Sequence, residues 1–317
     1  MSEVAPRGQA SVPPSGRQLT ISSGAQRAVI VEVGGGIRLY EVAGVDVLDG
    51  YGLDERCTAA RGQPLTPWPN RLHRGRYEWD RQQLQTPINE VNGLNALHGY
   101  TLGHNWTVVA HGQNEAVASL RLHPQEGYPF ALDLSVTYSL APAGLTVTNT
   151  ARNVGATACP YAHGAHPYIT VGTAQIDESS LTVPAATYFP TDMAQIPVGR
   201  AVVKDTKYDF REGHAVGRVR IDHAFTDLTR DDDGLARVVL SSPVHDRSVA
   251  VWLDRSYPYV MIFTGDTVEP ISRRRQGLGV EPMTCPPNGF ATGEGVLRLE
   301  PGAAVTTRWG ITPWPSD

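Results

Sequence analysis

Five short segments bounded by Gly and Pro concentrate side chains that can bind ligands or move protons. They are Pro67-Trp68-Pro69-Asn70-Arg71, Asn95-Ala96-Leu97-His98-Gly99, His163-Gly164-Ala165-His166-Pro167-Tyr168, Ile221-Asp222-His223-Ala224-Phe225 and Gly279-Val280-Glu281-Pro282-Met283-Thr284-Cys285-Pro286-Pro287. A histidine with an ordinary pKa of about 6.5 can give and regain a proton at neutral pH, and a carboxylate can accept one. Arg71 offers a planar fork of donors that never loses its charge. Glu281 and His166 each precede a proline, which biases both to extended backbone suited to projecting a side chain from a sheet face. Taken singly, each residue has an ordinary structural reading: Arg71 a surface charge, His98 a satisfied core histidine, Asp222 a turn residue.

Several other patterns carry less. His163 and His166 have H-x-x-H spacing, but Pro160 and Pro167 flank them and argue against a helix. On an extended strand, residues three apart face opposite ways, so no shared metal is expected. Gly34-Gly35-Gly36 fails the dinucleotide template because Leu39 stands where the third glycine belongs, and it reads as a turn between strands. Asp231-Asp232-Asp233-Gly234 lacks the alternating ligands of a calcium loop and reads as a hairpin tip. Arg273-Arg274-Arg275 reads as a solvated loop. The cysteines Cys57, Cys159 and Cys285 form no C-x-x-C pair, so neither a thiolate zinc site nor a disulfide framework is expected.

The elements that must carry these residues are strands. From Leu132 to Leu140 apolar residues alternate with Asp133, Ser135, Thr137 and Ser139, the period of a half-buried strand. Ala141-Pro142-Ala143-Gly144 supplies a turn, and 145–150 reads as the returning strand. Comparable runs lie at 28–33, 116–122, 238–240, 248–253, 259–264 and 305–311. Many short strands separated by Gly, Pro, Asn and Asp clusters imply stacked antiparallel sheets. The expectation is an all-β fold, a large antiparallel β-sandwich with few short helices.

Composition agrees. Among 317 residues there are Gly 32 and Pro 24, which excludes a long helical or coiled-coil protein. A hydrophobic share of 41% provides a core, and a net charge of −5 lacks the basic footprint of a nucleic-acid or anionic-membrane binder. No apolar run approaches the roughly 18 residues of a bilayer span. Residues 1–18 are rich in Ala, Pro, Ser and Gly without an apolar stretch, and are expected to be a loosely attached tail preceding a single domain, 19–317. Reduced thiols suggest a cytoplasmic protein.

Together and in this order, the N-R, L-H-G, H-P-Y and V-E-P-M-T segments resemble the aldose 1-epimerase (galactose mutarotase-like) family, over about residues 28–311. The likeness is to a bacterial branch; galactose mutarotases carry N-x-x-H around their catalytic histidine, and His163 stands where their Asn would be. The resemblance implies a supersandwich with a concave sugar site and no cofactor or metal. It makes Glu281 the general base and His166 the general acid, with Arg71, His98, Asp222, Asn70 and Tyr168 binding the substrate, a small-molecule sugar.

The implied chemistry suits those types. Interconverting anomers moves a proton off the C1 hydroxyl and another onto the ring oxygen, opens the ring, rotates C1–C2 and closes it on the other face. A partly desolvated carboxylate and a histidine of ordinary pKa suffice, each contributing roughly 10²- to 10⁴-fold. For an aromatic sugar floor, Trp68, Tyr168 and Trp252 are candidates. Three alternatives stand beside this reading. A hexose 6-phosphate could be held by Arg74, Arg76 or the Arg273–Arg275 run; a non-catalytic sugar binder could share the fold; a glycoside hydrolase could use Asp222 and Glu281.

Overall fold

Side chains that alternate apolar and polar can bury one face and wet the other only as a strand, and the 132–140 run does this. In the computed structural model, which describes residues 12–91 and 93–313, Leu132–Ala141 buries every second residue. A two-residue turn at Pro142-Ala143 returns the chain into Gly144–Asn153, paired from Ala141↔Gly144 to Leu132↔Asn153. These strands belong to a nine-stranded antiparallel sheet. Its order runs from Thr107–His111 through Glu115–Leu122, Leu132–Ala141, Gly144–Asn153, Ala304–Pro313, Ser248–Leu253 and Ala236–Ser241 to the short Ser180–Thr182 and His214–Ala215. The last strand among the described residues, Ala304–Pro313, thus lies in the middle of the sheet.

The second large sheet holds the site. Its order is Ala201–Val202, Ala185–Tyr188, Asp222–Leu228, Tyr259–Phe263, Leu278–Met283, Gly164–Ala165 and Pro64–Leu65, with Tyr168–Ile169 also paired to Leu278–Met283. All six residues of Leu278–Met283 are buried, as expected of a central strand covered on both faces. One apolar core takes Val147, Trp309 and Ile311 from the first sheet and Val260, Ile262 and Val280 from the second. Each such side chain contributes roughly 1.5–3 kcal/mol by leaving water, and the expected sandwich is what results.

A four-stranded sheet, Gln18–Ser23 to Val45–Asp46, adjoins. Here the expected tail is too long: Ser15 is buried, its carbonyl accepts from Val33 N–H at 3.0 Å, and Gln18 opens a strand. Residues 1–11 lie outside the described residues. The expected hairpin tip at Asp231–Gly234 is a turn, but its flanking strands belong to different large sheets, so it passes the chain between layers. The triple glycine at 34–36 is a turn between paired strands. Among the described residues the one α-helix is Gly289–Thr292, and no helix is long and apolar enough to cross a membrane.

Candidate active site

Register builds the floor of the site. Asp222 pairs with Phe263, Phe263 with Gly279, and Gly279 with Tyr168. Glu281 lies two residues beyond Gly279 and therefore on the same face of the sheet. The apolar residues of that face, Ala224, Tyr259, Met261 and Met283, form a second, smaller buried cluster with Phe189. Gly279 keeps the row open: a Cβ there would come within 3.1 Å of the Phe263 Cβ.

Two loops close over this floor. His98 N–H donates to the Asn70 carbonyl at 3.0 Å, and Asn70 N–H donates to His98 Nδ1 at 3.1 Å. Accepting at Nδ1 fixes the neutral tautomer of His98 with its proton on Nε2. Asn70 and His98 both have left-handed backbone, φ 56 and 62, an uncommon state for residues with a Cβ. Gly99 follows at φ 69, where a Cβ would stand 2.0 Å from the Thr66 carbonyl oxygen. No side chain fits there.

Glu281, His166, His98, Asn70, Arg71, Asp222 and Tyr168 all line one cavity of about 270 Å³. All seven expected site residues are therefore brought together. Glu281 Oε1 and His166 Nε2 are 3.3 Å apart, and the two residues are 2% and 5% exposed. Tyr168 stacks on the His166 ring at 4.9 Å, and the buried Arg61 guanidinium lies 4.8 Å from the Tyr168 ring centre. Among the described residues Glu281 Oε2 and His166 Nδ1 have no hydrogen-bond partner.

Burial dominates the electrostatics. It raises the Glu281 carboxyl well above its ordinary value, assisted by the Asp222 charge and opposed by Arg71. The same burial, helped by Arg61 and Arg71, brings His166 down to about 3. This corrects the expectation of an ordinary histidine: His166 is a neutral imidazole beside a carboxyl that burial also favours as neutral. His98 is likewise held well below its usual range, by burial first and then by His166 and Arg71.

Arg71 is not a free fork. Its Nε donates to Glu90 at 2.7 Å, and Nη2 lies 3.9 Å from Asp222. Glu90 also accepts from Asn95 at 2.7 Å, joining the two loops. Burial raises the Asp222 carboxyl, with Arg71 opposing. Glu90, Asn89, Phe263 and Leu102 were not expected here. Nothing in a loop's composition marks such residues, whereas Phe263 could have been found from its register opposite Asp222.

Other expectations resolve differently. The Arg273–Arg275 run is a partly exposed loop whose arginines are each paired, with Asp49, Glu269, and Asp177 plus Asp266 respectively. None of those arginines, nor Arg74 or Arg76, lines the cavity. Trp68 packs in the core against Tyr100 and Phe290, and Trp252 lies against Gly310 in the nine-stranded sheet, so neither is a sugar floor; Tyr168 and Phe263 are the aromatic rings of the cavity. His163 faces away from His166. Its Nδ1 is 3.0 Å from Tyr257 Oη, which meets Thr307 at 2.8 Å and accepts from Asn149 at 3.1 Å in the other sheet. Among the described residues no cluster of His, Cys, Asp and Glu could hold a metal ion.

The chain is similar in sequence and in fold to known proteins. The family model described as aldose 1-epimerase matches residues 17–312. The uncharacterized protein YihR of Escherichia coli K12 is 33% identical over 289 residues, covering 91% of this chain and 90% of that protein. Human galactose mutarotase is 32% identical over 160 residues, 47% of this chain and 44% of its own length. In fold, the GalM/aldose epimerase homologue from C. elegans matches with TM-score 0.85 at 19% identity, covering 95% of this chain and 99% of that one. Galactose 1-epimerase from Lactobacillus acidophilus matches with TM-score 0.77 at 20% identity, covering 93% and 94%. With the family model spanning both large sheets and every residue of the cavity floor, this chain belongs to the aldose 1-epimerase family.

Proposed function

We propose that the protein is a mutarotase that interconverts the α and β anomers of a free, neutral aldohexose such as galactose or glucose. The observation that carries this reading is the 3.3 Å contact of Glu281 with His166 in a cavity of about 270 Å³, near the lower end of small-molecule sites. One member of the pair takes the C1 hydroxyl proton while the other gives its proton to the ring oxygen. The C1–O5 bond breaks as the C1 carbonyl forms, C1–C2 rotates, and the reverse steps close the ring on the other face. The pair holds one proton throughout. With the proton on His166, Glu281 is the base and His166 the acid; with it on Glu281, the arrangement that burial favours, the roles exchange. Both occur as the ring opens and closes.

His98 Nε2–H, Arg71, Asn70, Asp222 and Tyr168 surround the remaining hydroxyls. A neutral sugar fits better than a phosphate: Arg71 is the one cation among the cavity-lining residues, and it already faces Glu90 and Asp222. A pure binder would have no need of an adjacent acid and base. No cofactor enters this scheme. The three unpaired thiols suit a reducing compartment such as the cytoplasm.

Exchange NMR at the anomeric protons of galactose and glucose tests the reading. Glu281→Gln and His166→Asn should each slow exchange by roughly 10²-fold or more, while Glu281→Gln keeps sugar binding. Normal exchange in both variants would overturn the assignment.

A further inference from the structure

Arg61 is 3% exposed, and no step proposed above uses it. A buried guanidinium needs close partners to offset its lost hydration, yet those of Arg61 are long. Its Nε and Nη2 each lie 3.4 Å from Asp49 Oδ2, and Nη1 donates to the Thr58 hydroxyl at 3.2 Å and the Thr58 carbonyl at 3.4 Å. Charge-assisted bonds of good geometry span about 2.7–2.9 Å. The ion pair alone is therefore a poor reason for placing this charge inside the protein. Asp49 is itself shared, since its Oδ1 accepts from Arg273 Nη2 at 2.6 Å.

The contact that distinguishes Arg61 is with Tyr168. The guanidinium centre lies 4.8 Å from the centre of the Tyr168 ring, which stacks on His166 at 4.9 Å with 13° between the planes and meets Phe263 edge-on at 6.2 Å. Tyr168 Oη has no hydrogen-bond partner among the described residues, so these contacts, rather than a hydroxyl bond, set the plane of the ring. Backbone bonds brace the same group: Asp49 N–H donates to the Tyr168 carbonyl at 2.8 Å, Gly62 N–H to the His166 carbonyl at 2.9 Å, and His166 N–H to the Gln63 carbonyl at 3.1 Å. They fix where the His166 side chain starts, and the flat stack fixes how its ring turns. Four groups that can carry charge act on the imidazole: Glu281 at 3.3 Å, His98 with ring centres 5.2 Å apart, and Arg61 and Arg71, whose charges both oppose a proton there. Glu281, Asp222 and Asp49 face Tyr168 beside Arg61.

We propose that Arg61, paired with Asp49, is a positioning residue for the proton exchange: it holds the plane of Tyr168, and through it the His166 ring in the orientation that points Nε2 at Glu281. The inference rests on the mutarotase reading above and adds a residue to it that touches neither the sugar nor the reacting atoms. Two properties of the guanidinium serve this role. Its flat face suits an aromatic ring, and its permanent charge disfavours a second proton on the Glu281–His166 pair. Arg273, on the far side of Asp49, ties the arrangement to the 271–276 segment.

Arg61→Met and Arg61→Lys separate the two properties. Exchange NMR with galactose and glucose would give kcat and KM, and the His166 C2 proton, assigned with His166→Asn, would report its titration without any sugar present. Arg61→Met should lower kcat by about tenfold or more with KM within about twofold of wild type, because a turned imidazole spoils the transfer and not the binding. It should also bring the His166 titration up by about one pH unit. Arg61→Lys keeps the charge without the flat face, so kcat should fall again while the titration stays where wild type has it. If Arg61→Met does not fold, Asp49→Asn, which keeps the backbone bond to Tyr168, should show the same fall in kcat at unchanged KM. Wild-type kcat in the folded variants, a loss carried by KM instead, or an unmoved His166 titration in Arg61→Met would overturn the assignment while leaving hexose exchange intact. No exchange by the wild-type protein would overturn the mutarotase reading itself.

Discussion

An imidazole with a pKa of about 6.5 gains its proton as pH drops through the physiological range. At His166, burial beside Tyr168 and the charge of Arg61 prevent this, bringing the group down to about 3. The consequence is visible in a pH profile. Below the folded-state pKa a second proton enters the Glu281–His166 pair and no base is left; above it the pair keeps one proton. The acid limb of kcat/KM for anomer exchange should therefore show no break near pH 6.5 and remain flat to pH 5. A break between pH 6 and 7 in that profile would mean that His166 is charged in the working enzyme. This charge state was invisible in the sequence, because nothing there reveals that Tyr168 stacks on the imidazole and Arg61 lies over Tyr168 until the sheet is built. The identities of Glu281, His166 and His98 were legible, since short Gly/Pro-bounded motifs carry them.

Elements differ in how openly they are written. The strands at 132–141, 144–153 and 248–253 have six or more residues of alternation and could be read directly. Pro64–Leu65, Gly164–Ala165 and Tyr168–Ile169, which frame the site, have two residues each and no measurable period. Backbone conformation holds the loops around them. Gly99 is the sharpest case: at φ 69, with Thr66 oxygen 2.0 Å from any Cβ, it fixes where His98 points. Gly99→Ala should lower stability by about 1–3 kcal/mol, from left-handed strain and overpacking. It should also raise KM for the sugar, because His98 must shift with it. Urea unfolding and exchange kinetics would check both, and a variant with unchanged stability would show that the backbone at Thr66 yields easily.

At the scale of the molecule, three buried histidines tie stability to pH. His163 and His166 are each brought down to about 3, and His98 is held well below its ordinary value, chiefly by burial. Below about pH 6.5 the unfolded chain binds protons that the folded one refuses, so stability falls as pH falls toward 3. Each histidine adds up to about 1.4 kcal/mol per pH unit in that window. Glu281 works the other way, since its raised folded-state pKa returns stability as pH falls toward 4.5. Urea midpoints are expected to drop from pH 7 to pH 5, the direction that the three histidines set. His163→Gln should make that slope shallower without touching Glu281 or His166; equal midpoints at the two pH values would contradict the burial of these groups.

The central place of Ala304–Pro313 in the nine-stranded sheet, between Gly144–Asn153 and Ser248–Leu253, has a consequence for synthesis. A ribosome delivers the two halves of that sheet long before the strand that joins them. Until residue 313 is released, each half presents an unpaired edge of the kind that pairs with other chains. The newborn protein thus depends on the ten-residue strand Ala304–Pro313 to close a gap opened more than a hundred and fifty residues earlier, at Asn153, and a chain stalled near residue 300 would be open to strand-pairing with its neighbours rather than simply unfinished.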